Sequence, residues 1–455
     1  MQESGCVMTR QAECKPTVVP FRAKQAGETR PPWWWVEPSV WTERMLAALD
    51  NGVKGGVWFS LIDKVYSKRN LSAAFAAVAA NDGAAGVDHV TIASFAKRLP
   101  ENLDHLHQSL QAGTYAPQAV RRAWIPKPGT QQQRPLGIPT VRDRVAQAAL
   151  RNVLEPIFER DFAEQSYGFR PGRGCHDALA RVDELLEAGY TYVVDADLQS
   201  YFDTIPHDKL LDQVGRKVAD GRVLALIQAY LEADILDGLE TWTPEQGSPQ
   251  GSVISPLLSN IYLDPLDHLM AERGFQMIRY ADDFVVMCRS RQEAEAALEV
   301  IRQWVEEAGL TLHPDKTHIA DATQKGEGFD FLGFHFERGY RWPRKKSIQK
   351  LKDAIRSKTR RTNGRSLDTI IADVNRTVRG WFGYFQPSHY TTFRRLDTWI
   401  RMRLRSILRK RQKKRGRGRG SDHQRWPNAF FTNHGLFTLT TAHELVRQSS
   451  SRENH

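Results

Sequence analysis

Tyr280-Ala281-Asp282-Asp283 constrains the fold of this chain more than any other stretch. Apolar runs flank it, Phe275-Gln276-Met277-Ile278-Arg279 before and Phe284-Val285-Val286-Met287-Cys288 after. Short apolar runs on either side of an acidic turn predict a β-hairpin. Adjacent aspartates at such a turn repel one another, so charging both is disfavoured unless a cation lies near. A divalent ion removes that cost, and carboxylate oxygens suit hard ions such as Mg²⁺. Taken alone, Tyr-x-Asp-Asp fits an acidic surface turn equally well. A third carboxylate at the end of another strand separates the two readings.

Tyr190-Thr191-Tyr192-Val193-Val194 supplies that strand, being β-branched and aromatic throughout. It runs into Asp195-Ala196-Asp197-Leu198, with Phe202 five residues past Asp197 and Pro206 closing the segment. Asp197 is the expected ligand, while Asp195 and Asp203 fit structural roles. A strand-borne Asp facing a hairpin-borne Asp pair meets the requirement of two-metal phosphoryl transfer. There, ions about 3.5–4 Å apart clamp the attacking and leaving oxygens.

Charge points to the partner. Residues 341–425 hold 27 Lys and Arg against 5 Asp, a net +22, while the rest of the chain nets −11. A solvated helix face normally mixes both signs. A one-signed block is the footprint of a polyanion, and nucleic acid fits better than a membrane surface because the Trp and Phe here fit a packed bundle. There is no run of 18 apolar residues, which predicts no membrane span, and the N-terminus lacks the apolar core of a signal peptide. Cys6, Cys14, Cys175 and Cys288 form no C-x-x-C pair, which argues against structural zinc or a disulfide framework and fits a reducing cytosol.

Residues 1–45 are polar, with Pro31-Pro32 and then Trp33-Trp34-Trp35, a cluster that fits docking on the body or on a base. Helical spacing runs from about 50 to 115. Val120–Lys127 and Arg134–Ile138 bracket Pro128-Gly129-Thr130, a hairpin signal. Asp143 to Phe158 reads as a helix through Val145, Ala149, Val153 and Ile157. In the basic block, three amphipathic helices are marked by Leu351 and Ile355, by Ile370 through Val378, and by Phe393 through Leu408. Gly416-Arg417-Gly418-Arg419-Gly420 is a flexible basic linker, and a short segment with Trp426, Phe430, Phe431, Leu436 and Phe437 follows.

In order, the motifs are the Lys/Arg hairpin, Ser166-Tyr167-Gly168-Phe169-Arg170-Pro171-Gly172, Asp197 with Phe202, Pro249-Gln250-Gly251, Tyr280-Ala281-Asp282-Asp283 and Phe331-Leu332-Gly333-Phe334. This series resembles the reverse transcriptases, or maturases, encoded by bacterial group II introns, over roughly 50–440. The resemblance implies an α/β right-hand polymerase, with fingers and palm, a helical thumb and a small C-terminal appendage. It divides the chain into a tail (1–48), a helical extension of the fingers (49–115), fingers and palm (116–340), the thumb or maturase X domain (341–412), and a basic linker with a DNA-binding segment (413–455). Many relatives continue into an H-N-H nuclease. This chain stops at 455 without one, which points to the class C lineage and puts second-strand cleavage in doubt.

Roles carried over by the resemblance fall on matching positions. Asp197, Asp282 and Asp283 match the catalytic metal triad, with the Leu198 carbonyl assisting two Mg²⁺ for which Mn²⁺ substitutes. Lys127 and Arg134 match residues that hold the incoming triphosphate, as a point charge and a planar fork suit phosphate. Phe202 matches the gate against a ribose 2′-hydroxyl, a role compatible with being core. Gln250 and Gly251 match the loop under the nascent pair, and Lys316 a palm lysine that protonates pyrophosphate, though a surface lysine fits that position too. In the thumb, Arg401, Arg405 and Arg409 are spaced by four and are expected on one exposed face, continued by Lys413, Lys414 and Arg415.

The implied activity is RNA-templated DNA synthesis from a primer, with dNTPs, intron RNA and target DNA as partners, in a bacterial cytoplasm. It includes assisting splicing and copying the intron during mobility. Three other readings stand beside it: an RNA-binding splicing maturase with a vestigial site, a host-domesticated reverse transcriptase, and an RNA-templated RNA polymerase. The complete triad with Lys127, Arg134 and Gln250 argues against the first, and Phe202 against the last.

Overall fold

The computed structural model describes residues 33–126, 133–416, 418 and 420–453. Cys6, Cys14, Pro31-Pro32, Lys127, the hairpin tip Pro128-Gly129-Thr130, Arg417 and Arg419 lie outside them. Eleven strands are present among the described residues: β1 Val120–Pro126, β2 Gln133–Ile138, β3 Tyr192–Asp197, β4 Ile235–Asp237, β5 Glu240–Trp242, β6 Gln276–Tyr280, β7 Asp283–Cys288, β8 His318–Asp321, β9 Phe329–Phe331, β10 Phe334–Glu337 and β11 Tyr340–Pro343. They form three sheets, ordered β2-β1-β4-β5, β6-β7-β3-β8 and β11-β10-β9. The chain divides into two compact units, Met1–Ala123 with Leu136–Ile319, and Trp124–Pro135 with Ala320–His455.

In the first unit, the β6-β7-β3-β8 sheet packs into one apolar core with long helices. The helix Val141–Glu159 buries Val145, Ala149, Val153 and Ile157, the stripe that spacing by four marks out. Its start is fixed by Thr140, whose hydroxyl accepts from the Asp143 amide, a capping bond for an otherwise orphaned donor. Asp143 is buried yet satisfied, accepting from the Tyr115 hydroxyl at 2.7 Å and the Gln118 amide at 3.0 Å. Residues before 49 also contribute to this core. Val40 and Trp41 are buried, the Trp41 indole donates to the Asn152 carbonyl, and a helix starts at Glu43. Trp33 packs against this core and donates to Asp50, whereas Trp34 stays exposed.

The second unit has its own core, built from the helices Lys345–Lys358, Leu367–Phe385 and Thr391–Arg411. The C-terminal segment joins that core through Trp426, Phe431, Leu436 and Leu439. Asp397, buried on the third helix, accepts from the Leu439 and Thr440 amides at 3.0 Å each and so anchors the last helix, Leu439–Glu453. The small β9–β11 sheet belongs here as well. Phe334 lies 5.0 Å from Phe385, and the Tyr384 hydroxyl donates to the Leu332 carbonyl. These strands accordingly fall in the second compact unit, whose longer segment begins at Ala320.

Candidate active site

β7 runs antiparallel between β6 and β3, and its register sets the site. Asp197, the last residue of β3, pairs directly with Asp283, the first of β7. Opposed residues in such a pair have Cα atoms about 4.5–5.5 Å apart. Tyr280 pairs with the same Asp283 from the other side, which leaves Ala281 and Asp282 as a two-residue turn. Ala281 takes φ of 60°, as tight hairpin turns that match strand twist require. Three carboxylates thus converge at one end of the sheet through backbone pairing. Burial pushes the Tyr280 hydroxyl up to about 12, aided by its bond to Cys175, so it is neutral beside them.

A buried arginine that periodicity alone passes over as a strand residue holds the turn. Arg279 and Asp267 are both fully buried. The Arg279 Nε donates to Asp267 at 2.8 Å and Nη2 at 2.5 Å, while Nη1 reaches Asn260 Oδ1 at 3.0 Å and the Ala281 carbonyl at 2.9 Å. Burial opposes its charge, but the Asp267 charge and hydrogen bond outweigh burial and hold the guanidinium above its ordinary value. The Ser166–Gly172 motif locks in alongside. The Tyr167 amide donates to the Arg279 carbonyl at 2.8 Å, and Asn260 donates to the Gly168 carbonyl at 2.8 Å. A Cβ on Gly168 would stand 2.2 Å from the Ala281 nitrogen, so this glycine is what lets the two backbones touch.

On the far side of Asp197, residues 311–313 add a short bridge. The His313 amide donates to the Asp197 carbonyl at 2.7 Å, and Gln199 donates to Thr311 at 2.8 Å. Both bonds use neighbours of Leu198, so the bridge does not engage the Leu198 carbonyl. His313 Nδ1 and Thr317 Oγ1 are buried here without a hydrogen-bond partner among the described residues. Lys316 donates to Asp197 Oδ2 at 2.5 Å. No three His, Cys, Asp or Glu side chains among the described residues already close on a single point. The donors gathered by the register are nevertheless all oxygens, the set hard divalent ions prefer.

Phe202 is buried in a one-turn helix, Tyr201–Thr204, with its ring against Tyr201. The Gly247–Gly251 loop lies against this segment. The Ser248 amide donates to the Phe202 carbonyl at 2.6 Å, and Gly247 approaches Asp203 too closely for a Cβ. The loop is tied to β2 as well, since the Gly137 amide donates to the Gln250 carbonyl at 2.6 Å. Gly251 has φ of 108° and sits over the Gly137 carbonyl. Arg134 is exposed on β2, and Lys127 is outside the described residues.

The expected thumb face fails at Arg405, which is only 3% exposed. Its guanidinium donates to the Trp426 carbonyl at 2.9 Å and to Asn428 at 2.8 Å, and it stacks over Phe431. Arg409 is committed too, paired with buried Asp422 at 2.5 Å and donating to the Arg415 carbonyl. Helical spacing placed these residues on one side, but the C-terminal segment covers that side. Arg401 is half-buried, while Lys413, Lys414 and Arg415 are exposed.

Comparison with known proteins follows the same division of labour. Residues 125–336 match the model for reverse transcriptase (RNA-dependent DNA polymerase), and 348–426 match the group II intron maturase-specific domain. Protein YkfC of Escherichia coli is 36% identical over 292 residues, covering 56% of this chain and 76% of that protein. The group II intron-encoded protein LtrA of Lactococcus lactis subsp. cremoris is 40% identical over 172 residues, 38% of this chain and 28% of that one. A partial Cas6-RT-Cas1–Cas2 complex is a looser likeness, with a TM-score of 0.36 and 24% identity over 55% of this chain and 41% of that one. The match over 125–336 makes the fold a mixed α/β right-hand polymerase and the chain an RNA-directed DNA polymerase. With both domains present in this order, the chain belongs to the family of group II intron-encoded reverse transcriptases and maturases.

Proposed function

We propose that Asp197, Asp282 and Asp283, with the Leu198 carbonyl, hold two Mg²⁺ ions, or Mn²⁺ in their place, for DNA synthesis on a group II intron RNA template. The cross-strand pairing of Asp197 with Asp283, beside Asp282 on the turn, carries this reading. When bound, the ions neutralise charge that builds on the transferred phosphoryl group. The protein's own groups do the rest. Arg134 and Lys127 orient the triphosphate of a dNTP, and the Phe202 ring excludes a ribose 2′-hydroxyl by overlap. Gln250 and Gly251 support the nascent pair. Lys316 holds a proton at Nζ for the leaving pyrophosphate and reaches the site through Asp197. The basic second unit binds the intron RNA, assists its splicing, and engages the DNA target that supplies the primer during mobility.

The test is Asp282→Ala. Losing a metal ligand removes transition-state stabilisation, and each ~1.4 kcal/mol lost slows the reaction tenfold. Primer extension on an RNA template should disappear while filter binding of the same RNA stays near wild type. Full extension by the variant would overturn the site assignment.

A further inference from the structure

We propose that Tyr340, Trp342, His389 and Tyr390 form a stacking platform for unpaired bases of a bound nucleic-acid strand. The proposal rests on the reading above that this chain handles RNA and DNA, and it adds a point of grip on residues other than the aspartates. Tyr340 and Trp342 are two apart on β11, so they project from the same face of the strand. Their rings lie 5.8 Å apart. His389 is the hub, 4.8 Å from Tyr340, 5.8 Å from Trp342 and 4.6 Å from Tyr390.

The cluster is braced from behind. The His389 amide donates to the Arg341 carbonyl at 2.9 Å, and the Arg341 side chain donates to the Pro387 carbonyl at 3.0 Å. His389 Nδ1 lies 2.8 Å from the Thr391 hydroxyl. β11 and the connection between the second and third thumb helices therefore move as one piece. Despite this bracing, Tyr340 is 55% exposed and Tyr390 52% exposed. Large aromatic rings held rigidly in water mark an interaction surface, because such a surface binds with little further ordering.

Charge selects the occupant. Arg338, Lys345, Lys346, Arg394 and Arg395 are exposed on the segments that carry the platform. Two carboxylates of the same small sheet are already engaged: Asp330 by His335 and Arg344, and Glu337 by His335 and the Gly326 amide. Aromatic faces among exposed arginine and lysine suit a single strand, whose phosphates meet the charge and whose bases meet the rings. A duplex keeps its base faces stacked on one another. The platform lies at the Arg338-Gly339 end of the β10–β11 hairpin, opposite the Leu332-Gly333 turn.

The experiment uses the full chain and two oligonucleotides of equal length and charge, one with every base and one with abasic sites through its centre. Tyr340→Ala and Tyr390→Ala should each weaken binding of the base-bearing strand roughly five- to a hundredfold, as expected for a lost base–aromatic stack. Binding of the abasic strand should not change, and Tyr340→Phe should behave as wild type. Equal weakening of both strands would overturn the proposal, as would no weakening of either. Sedimentation showing self-association lost in the alanine variants, with strand binding intact, would assign the surface to a protein partner instead. Extension of a fully paired primer–template by the same variants keeps the outcomes distinct. Retained extension with lost base-dependent binding confines the effect to the platform, and extension absent even from wild type would count against the polymerase site alone.

Discussion

Arg279 and Arg405 are both buried guanidiniums, one in each unit, yet their surroundings differ in kind. Arg279 meets the Asp267 carboxylate, so its hydrogen bonds and its charge are answered together. Among the described residues, Arg405 donates to a carbonyl and an amide oxygen, and burial followed by the nearby Arg401 charge depresses its pKa. Arg361 of the second unit likewise reaches carbonyls, those of Ser406 and Lys414. A neutral oxygen satisfies the donor without cancelling the charge. Arginines can thus brace the helices internally and still contribute to the net +22 of residues 341–425. The second unit also pairs charge, as Arg409 does with buried Asp422, but at Arg405 it leaves the guanidinium charge uncancelled, whereas the first unit cancels it at Arg279, where the turn is fixed.

The sharpest way to break this contrast is Arg279→Met, which strands Asp267 in the core. Removing one partner of a buried pair costs about 3–5 kcal/mol. Thermal unfolding should show a large loss, and Asp267→Leu on top should recover part of it. If Arg279→Met melts like wild type, the pair is not what holds the turn. Arg405→Met should cost less, about 1–3 kcal/mol, because it leaves only neutral acceptors unpaired. It should also barely alter the salt dependence of RNA binding. Lys413→Ala with Lys414→Ala should do the reverse, melting normally while reducing the slope of log K against log salt by about two units. An unchanged slope would mean that this exposed pair makes no phosphate contact.

The smallest effect probes an acid that the first unit does not fully neutralise. Burial pushes Glu155 up to about 7, with Arg151 opposing and Glu159 reinforcing the rise. Arg151 approaches it only to 3.7 Å. A carboxyl with a raised folded pKa binds more protons folded than unfolded. Its contribution to stability therefore falls as pH climbs from its unfolded pKa through about 7, and levels off above. Glu155→Gln should gain about 1–3 kcal/mol at pH ~8 and little at pH ~4, measured by denaturant unfolding. A gain independent of pH would place the effect in packing.

Much of the architecture was legible because it follows from short-range pattern. The apolar runs around Asp282 became β6 and β7, and Tyr192–Asp197 became β3. The apolar marks at Leu351, Ile355, Ile370, Val374, Phe393 and Leu404 are all buried in the second core. What escaped depends on partners distant along the chain. Arg279 looked like one more strand residue, since only the fold shows that Asp267 lies within its reach. Arg405 looked solvent-facing because helical spacing reports direction about the helix axis, whereas its cover comes from Trp426 to Phe431. The β9–β11 sheet was read with the palm because strands carry no label for the helix they will pack on.

The strand order of the catalytic sheet has a consequence for biosynthesis. β3 lies between β7 and β8, and both neighbours are encoded after it. A nascent chain therefore presents the Asp197 strand with both edges unpaired until residues beyond 288 have left the ribosome. Unpaired apolar strand edges invite pairing with other chains. Slow passage through the intervening helices would prolong that exposure, which makes translation speed and chaperone supply between residues 198 and 288 a determinant of how much active enzyme a cell recovers.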